Sequence, residues 1–538
     1  MKQFNTFLYT VVAALMLLAS CAPTHENAEQ VDHLPNMFPD YADITIPVNI
    51  APLNFMIRDK NLQSIEVVAT IKDGNTSGNT DDITIPVNIA PLNFMIRDKN
   101  LQSIEVVATI KDGNTSGNTD DNSTDDNSLS VATKGNIVQF SLSDWKDFMQ
   151  KAAGKEVNVQ IYSCSKQGDW TAFKPFTWQV AADSIDSYLS YQLIEPDYKV
   201  WNNIQIKERC IENFKEKTLA DHELQKNSCM NCHISSNQNP NLSMIYLAED
   251  GRNAVLSRNG ELRKLNIQKN GMVTPATYYN FAPSGKYIAF STNDYEAAFH
   301  ASANQRVEVF DKRSDVYVAD LDNNTITSSP LTCNDHTLAT FPTFTPNGKY
   351  IYYCAASNNG IKDHDIKELK YALVRIPFDE STGKFGNHVD TLYTARSVCH
   401  PKISPDGKYC LFTIADYGTC PSWHPEADLC MLNLQTNQID TLNIVNSKKS
   451  DTYHSWSHNS RWFVFGSKRD DGVYTKPYIC YFDKHGKAHK PFLLPQKDPS
   501  IYDFYMKCYN TVELYRGTTP FDCFDLEHIA KMPAETFR

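Results

Sequence analysis

Residues 281–290 read Phe-Ala-Pro-Ser-Gly-Lys-Tyr-Ile-Ala-Phe, and this stretch decides the fold because it returns along the chain. It recurs as Phe-Thr-Pro-Asn-Gly-Lys-Tyr-Ile-Tyr-Tyr at 344–353 and as Ile-Ser-Pro-Asp-Gly-Lys-Tyr-Cys-Leu-Phe at 403–412. A fourth, altered copy at 456–465 reads Trp-Ser-His-Asn-Ser-Arg-Trp-Phe-Val-Phe. Proline presets φ for the first turn position and glycine accepts a positive φ at the last. Each Pro-x-Gly-Lys therefore predicts a tight hairpin between two strands.

Each unit continues into a second pair of strands, so we expect about four strands per unit. The turn positions 285, 348, 407 and 460 are 63, 59 and 53 residues apart. These spacings exceed the usual 40 to 50 residues of a propeller blade, which indicates insertions in the loops. A further unit at 244–265 lacks the Pro-x-Gly turn. The sequence predicts a mainly β protein with a β-propeller of about five or six blades over 241–500.

The Pro-x-Gly-Lys units resemble the WD40-like repeats of TolB-type β-propellers over roughly residues 241–495. Together with the features below, they resemble a TolB-like lipoprotein family of Bacteroides-type bacteria. The resemblance implies a propeller that binds a partner during envelope maintenance. Prolyl-oligopeptidase-type enzymes have a similar propeller but require a Gly-x-Ser-x-Gly elbow, which this chain lacks. We therefore do not expect a serine hydrolase.

The N-terminus has the layout of an export signal, with Lys2 followed by an apolar run from Phe7 to Leu18. The ending Leu-Ala-Ser-Cys resembles a lipobox, which implies a signal peptide over 1–20 and lipid attachment at Cys21. Residues 21–42 are polar and rich in proline, and we interpret them as a tether. The predicted location is the cell envelope, as an outer-membrane lipoprotein that is periplasmic or surface-exposed.

A 39-residue segment is duplicated without change, at 43–81 and again at 82–120. Our hypothesis is that one copy fills the native place and the other loops out. Strand-like runs alternate from 131 to 195, with a helical turn near Trp145–Ala152. The sequence predicts an N-terminal β domain over 43–200, sandwich-like, with an α+β domain as the alternative.

Residues 228–233 read Ser-Cys-Met-Asn-Cys-His, the attachment spacing of c-type haem. Cys229 and Cys232 would then form thioethers, and His233 would bind the iron. The alternatives are a local disulfide and a zinc site completed by Cys210 or His222. The surrounding segment 201–240, predicted to be a connector, is short and polar and would need walls from its neighbours.

Other chemical residues are interpreted as structural. The histidines at 300, 336, 400, 424, 454 and 458 have no spacing that requires a shared site, and Lys468–Gly472 is interpreted as a self-compensated turn. Four cysteines in apolar runs are expected to be core residues, namely Cys354, Cys410, Cys430 and Cys480.

Charge and motifs together define the predicted function. Lys and Arg total 51 against 63 Asp and Glu, a formal net charge of -12, which disfavours nucleic-acid binding. We predict a non-enzymatic envelope lipoprotein whose propeller face binds an envelope protein or another macromolecule. The alternative is a redox or sensor protein with covalent haem c. No catalytic residue is predicted, and 501–538 is interpreted as a C-terminal tail.

Overall fold

The computed structural model describes residues 27–59, 62–72, 105–106, 127–196, 204–221, 230–247, 253–302, 305–358 and 363–538. The chain divides into two compact units. The first contains the described parts of Met1–Phe38, Met56–Val138 and Val157–Phe176. The second contains Pro39–Phe55, Gln139–Glu156 and the described parts of Thr177–Arg538. Among the described residues, no helix has the length and apolar character needed to cross a membrane.

The first unit is built on six strands of an eight-stranded sheet, which pair in the order β1-β10-β9-β5-β7-β6. Its strands are β1 (Glu29–Gln30), β5 (Leu62–Lys72), β6 (Glu105–Val106), β7 (Ser128–Lys134), β9 (Glu156–Ser165) and β10 (Trp170–Ala172). A small second sheet contains β2 (Met37–Phe38), β4 (Phe55–Ile57) and β8 (Ile137–Val138). Burial alternates along β9 because every second side chain of a strand points to the same face.

The duplicated segment contributes unequally to the described structure. The first copy supplies β5, in which Glu66 pairs with Ala132 of β7. Its counterpart in the second copy, Glu105 of β6, pairs with the same Ala132. Apart from residues 105 and 106, the second copy lies outside the described residues. The hypothesis that it loops out stays a prediction.

The second unit begins with β3 (Ile44–Pro47), which runs parallel to β11 (Phe176–Ala181). Helix α1 (Leu142–Ala152) occupies the stretch where a helical turn was predicted. It buries Trp145, Phe148, Met149 and Ala152, which recur at the spacing of one helical face. The indole nitrogen of Trp145 donates a hydrogen bond to the carbonyl of Ile50 at 2.8 Å.

The rest of the second unit consists of six antiparallel sheets. Sheet 1 contains β12 (Tyr188–Ile194), β13 (Gln205–Cys210), β14 (Glu216–Asp221) and β36 (Cys508–Tyr515). Sheet 2 contains β15 (Met230–Ser236), β16 (Asn239–Leu247), β17 (Asn253–Arg258) and β18 (Glu261–Asn266), with β37 (Glu535–Thr536) added in parallel at its edge. Sheet 3 contains β19 (Thr277–Phe281), β20 (Tyr287–Ser302), β21 (Gln305–Asp320) and β22 (Thr325–Thr327).

The remaining three sheets follow in chain order. Sheet 4 contains β23 (Thr337–Phe344), β24 (Tyr350–Ser357), β25 (Ala372–Asp379), β26 (Lys384–Phe385) and β27 (Asp390–Tyr393). Sheet 5 contains β28 (Ser397–Ile403), β29 (Tyr409–Ala415), β30 (Asp428–Asn433) and β31 (Ile439–Asp440). Sheet 6 contains β32 (Asp451–Trp456), β33 (Trp462–Ser467), β34 (Lys476–Tyr481) and β35 (Phe492–Leu493). Two short helices, α2 (Ile501–Phe504) and α3 (Cys523–Ala530), flank β36 in sequence.

The six sheets form a closed ring. One edge strand of each sheet contacts the corresponding strand of the next, in the order β15, β19, β23, β28, β32, β36 and back to β15. Closure of this kind leaves no open sheet edge at the axis. The prediction of a mainly β protein with a propeller is confirmed.

The ring does not follow the boundaries predicted at residues 200, 240 and 500. The described part of the predicted connector contains β13 and β14 of sheet 1 and β15 of sheet 2. The segment predicted as a C-terminal tail supplies β36, the innermost strand of sheet 1. The physical reason is ring closure, because β36 pairs with β12 and so joins two segments more than 300 residues apart.

The repeated turns have the predicted backbone. Gly285, Gly348 and Gly407 have φ values of 70°, 68° and 71°, which favour glycine. Each closes its turn by donating its N–H to the carbonyl three residues before it, at 2.8 to 2.9 Å. In the altered copy, Ser460 takes this place with φ 60°. The four predicted core cysteines are all fully buried, at 0% exposure.

The longest insertions connect the second and third strands of the sheets. In sheet 3 these strands extend to 16 residues each, as β20 and β21. In sheets 4 and 5 the same connection carries the 3₁₀ turns Asp363–Glu368 and Pro421–Trp423. Because strand direction alternates within a sheet, these insertions lie at the end of the sheet where the innermost strand begins.

Candidate functional site

Every innermost strand is interrupted at the same place. The pairing register shifts within β15, β19, β23, β28 and β32, and between β12 and β36. Four residues at these shifts have a left-handed backbone, namely Tyr278, Phe341, His400 and Thr511, with φ from 49° to 52°. Such conformations are costly for residues other than glycine and concentrate at functional sites. The axis of the propeller is therefore the candidate functional site.

Aromatic side chains at these positions form what we call the axial ring. The centroids of Tyr278 and Phe341 are 4.4 Å apart, and those of Phe341 and His400 are 4.3 Å apart. Tyr453 continues the ring 5.2 Å from His400. The sequence does contain a signal for these residues, since each precedes the Pro position of its repeat, or His458 in the altered copy, by five residues.

Three side chains from neighbouring sheets form a polar chain beside the axial ring. The Tyr453 hydroxyl donates to Glu513 Oε1 at 2.5 Å, and Lys402 Nζ donates to the same oxygen at 3.2 Å. They come from β32, β36 and β28. The Glu513 side chain is only 8% exposed, so the ammonium and the phenol compensate a buried carboxylate. A phenol held on a carboxylate can pass a proton through its oxygen.

Three buried histidines surround this chain. Burial lowers the pKa of His233 to about 4, although the nearby Glu513 opposes the shift. Burial lowers the pKa of His400 and His454 to about 3, and the charge of Lys402 acts in the same direction. All three are therefore neutral at pH 7. His454 Nε2 lies 2.9 Å from the carbonyl oxygen of Leu411, so this nitrogen carries the proton.

Residues 230–233 of the Cys-x-x-Cys-His segment belong to β15, the innermost strand of sheet 2. His233 is 2% exposed, and the backbone of Ser190 is the hydrogen-bonding group close to its ring, although neither ring nitrogen makes a hydrogen bond of good geometry within the described residues. Cys229 and the side chain of Cys232 lie outside the described part of the chain, as does Cys21. The interpretation of this segment as a haem site therefore stays a prediction.

Within the described residues, no group of three His, Cys, Asp or Glu side chains is placed to hold a metal ion. Of the two residues considered for a zinc site, Cys210 is buried in β13 and His222 lies outside the described ranges.

A narrow cavity that we call the axial cleft lies beside Tyr453 and has room for about one water molecule. Its lining includes Trp423, Tyr453, Lys468, Tyr509, Asn510 and Thr511. Lys468 Nζ lies 3.1 Å from the centroid of the Trp423 ring, and this lysine is only 4% exposed. Glu513 is not among the lining residues, whereas Tyr453, whose hydroxyl donates to Glu513, is one of them.

The loop that carries Trp423 is fixed by a buried ion pair. His424 Nε2 lies 2.9 Å from Glu308 Oε2, and His424 Nδ1 lies 3.3 Å from Glu426 Oε1. Tyr417 also donates to Glu308. Burial alone would lower the pKa of His424, but the bonds to the two carboxylates outweigh it and raise the pKa to about 9. Glu308 lies on β21, so sheet 3 holds a loop of sheet 5.

The remaining candidate residues are dispersed. His336 is exposed, the side chain of His300 is outside the described set, and the backbone N–H of His458 donates to Asp186 Oδ2 at 2.9 Å. In the loop from 468, Arg469 pairs with Asp451 at 3.0 Å and Asp470 pairs with Lys476 at 2.8 Å. That loop compensates its own charge only in part, because both partners lie outside Lys468–Gly472.

No protein-family model matches the chain, and no curated protein matches it. Among solved structures, an oligogalacturonate lyase from Vibrio parahaemolyticus is 12% identical, with a TM-score of 0.31, and the match covers 62% of this chain and 87% of that one. Prolyl oligopeptidase B from Galerina marginata is 11% identical, with a TM-score of 0.32 and coverage of 62% and 42%. An apocarotenoid oxygenase from Synechocystis is 11% identical, with a TM-score of 0.33 and coverage of 63% and 85%.

These findings correct the predicted function. The solved structures of similar fold are enzymes, which contradicts the prediction of a non-enzymatic envelope module that was drawn from the TolB-like resemblance. At such identities and TM-scores the likeness supports the fold alone, so none of their activities is assigned to this chain.

Proposed function

We propose that this protein is an enzyme that catalyses proton transfer on a small polar substrate in the axial cleft. The observation that carries the proposal is the chain Tyr453–Glu513–Lys402, in which the phenol of a residue that lines the cleft is hydrogen-bonded to a buried carboxylate. Left-handed residues at the same level of the axis add support, because strained backbone is retained where the surroundings enforce it.

The proposed step moves one proton along this chain. The Tyr453 oxygen accepts a proton from the substrate while the phenolic proton passes to Glu513 Oε1. Tyr453 is thus neutral before and after the step, and the buried carboxylate becomes the acid that returns the proton to product or water. Lys402 offsets the negative charge of Glu513 before the transfer. The neutral histidines nearby add no positive charge at pH 7.

The test is a proton-exchange assay in heavy water. The purified protein is incubated with a defined mixture of sugars, sugar acids and organic acids, and NMR follows both consumption and exchange of carbon-bound protons. We expect at least one compound to change, and Tyr453→Phe and Glu513→Gln to slow that change by roughly 10²- to 10⁴-fold.

Lys448→Met is the matched control, because Lys448 is an exposed residue of the loop before β32. Melting temperatures of all variants separate loss of activity from loss of folding. A compound turned over equally fast by the wild type and by folded Tyr453→Phe would contradict the proposal.

A further inference from the structure

The axial cleft is too small, as it stands, for the substrate that the proposed function requires. It has room for about one water molecule, whereas a sugar or an organic acid is several times larger. Most of the lining residues belong to β12, β32, β33 and β36, which hydrogen-bonded neighbours hold in place. Entry of a substrate therefore requires the movement of a wall that lies outside these strands.

The loop 416–427, which connects β29 to β30, supplies such a wall through Ser422 and Trp423. Trp423 has the largest side chain among the lining residues, so its displacement enlarges the cleft most. The loop is fastened near both ends by backbone hydrogen bonds of 2.8 Å, from the N–H of Gly418 to Leu369 and from the N–H of Asp451 to the carbonyl of Ala427. Its middle can therefore move while its ends stay in place.

A single buried carboxylate ties down this middle part. Glu308 of β21 is 2% exposed and accepts from the Tyr417 hydroxyl, while its Oε2 lies 2.9 Å from His424 Nε2. Tyr417 precedes the turn Pro421–Trp423 and His424 follows it, so Glu308 holds the turn from both sides. Loss of one partner of a buried ion pair leaves the other charge uncompensated, which makes this tie sensitive to one substitution.

We infer that the loop 416–427 is a lid of the axial cleft, and that Glu308 is the positioning residue that keeps it closed through Tyr417 and His424. This inference rests on the proposed function, because it describes how a substrate reaches the cleft beside Tyr453. When the lid opens, the Trp423 side chain leaves the wall and its volume is added to the cleft. When it closes, water is excluded from the reaction.

Three cysteines make the lid testable without a substrate. Cys420 lies in the loop, and Cys508 of β36 lines the cleft although it is only 5% exposed. Cys430 of β30 is fully buried, so its modification reports unfolding of the ring. The purified full chain is treated with iodoacetamide at a fixed pH, and peptide mass spectrometry gives the rate of modification of each thiol.

Glu308→Gln should speed the modification of both Cys420 and Cys508 at least tenfold and leave Cys430 unchanged, because a neutral amide no longer attracts the His424 imidazolium. Glu296→Gln is the matched control, since Glu296 lies on the adjacent strand of sheet 3 and pairs with Lys312. Its three rates should equal those of the wild type.

Two further variants keep the test decisive. Trp423→Ala removes the wall and leaves the ion pair intact, so it should speed the modification of Cys508 at least tenfold. Tyr417→Phe removes one of the two bonds to Glu308 and should speed both Cys420 and Cys508 several-fold. It replaces Glu308→Gln if rapid modification of Cys430 shows that the latter does not fold.

Unchanged modification of Cys508 in folded Glu308→Gln would overturn the inference. Faster modification of Cys420 alone would also overturn it, because the loop would then move without opening the cleft. These rates are independent of turnover, so the expected rates in a protein that exchanges no substrate protons would refute the proposed function and leave the lid. Normal proton exchange with unchanged rates would do the reverse.

Discussion

At the residue scale, three buried histidines near the axis of the propeller are kept uncharged at pH 7, namely His233, His400 and His454. His233 is enclosed beside Glu513 and Lys402, and the backbone of Ser190 only partly offsets the effect of its burial. A buried imidazole resists protonation because the charged form would lose its hydration. Such a group lowers the free energy of unfolding in acid, because the unfolded chain takes up the proton at a higher pH than the folded chain does.

Replacing His233 with leucine should reduce the acid sensitivity of the fold. The native pKa of about 4 lies below the ordinary value of 6.5, so stability from this group is complete above pH 6.5 and falls as the pH drops towards 4. Between pH 7 and pH 5, His233→Leu should lose about 2 kcal/mol less free energy of unfolding than the wild type. Urea unfolding at both pH values measures this.

His336→Leu serves as the control, since His336 is exposed on a loop. Identical pH dependence in His233→Leu and the wild type would show that this imidazole is not kept neutral by the fold.

The sequence singled out His233 by its spacing to two cysteines, but not the residues that surround it. Its neighbours Lys402 and Glu513 come from strands far away in the chain, and no local pattern relates them. Periodicity predicts which face of a strand is buried, whereas the meeting of three sheets at an axis depends on how the ring closes.

At the element scale, the repeated hairpin turn sets where each innermost strand ends. Gly285 and Gly407 have almost the same backbone, with φ near 70°. Their surroundings differ, since a Cβ at Gly285 would lie 2.6 Å from Leu242 Cδ2, whereas no described atom lies within 4 Å of a Cβ at Gly407. Alanine substitutions at these two glycines therefore distinguish the effect of backbone strain from the effect of steric crowding.

Gly407→Ala should lower the free energy of unfolding by about 1 kcal/mol, from backbone strain alone. Gly285→Ala should cost about 1 kcal/mol more, because Leu242 packs against the core of sheets 2 and 3 and must shift. Urea unfolding of the two variants, side by side, measures the difference. A larger loss in Gly407→Ala than in Gly285→Ala would refute this explanation.

The sequence was most informative for these hairpins, because proline and glycine impose their turn geometry locally. The sequence was least informative for a sheet whose innermost strand is not followed by a proline and glycine turn. Sheet 1 has no Pro-x-Gly turn, since its innermost strand β36 arrives from the other end of the chain. A strand supplied in this way carries no repeat signature, so it was interpreted as part of a tail.

At the scale of the whole molecule, β36 closes the ring between β12 and the two flanking innermost strands, β15 and β32. Removal of residues 508–538 should leave sheet 1 without its axial strand and expose edges on both neighbours. We expect this truncated protein to aggregate or to lose its near-ultraviolet circular dichroism.

Removal of residues 533–538 alone is the matched control, because it deletes only β37 at the outer edge of sheet 2. This shorter truncation should stay folded with a lower melting temperature. A monodisperse, cooperatively melting protein without residues 508–538 would show that the ring does not need β36.

The pair between Glu308 and His424 has a consequence for how such a ring changes over evolution. The carboxylate belongs to sheet 3 and the imidazole to a loop of sheet 5, so the pair connects two sheets that have sheet 4 between them in the ring. Duplicating or deleting a sheet between sheets 3 and 5 would separate Glu308 from His424 and leave both charges buried without a partner. We therefore expect evolution to add or remove sheets only outside the stretch from sheet 3 to sheet 5, so that these three sheets are inherited together.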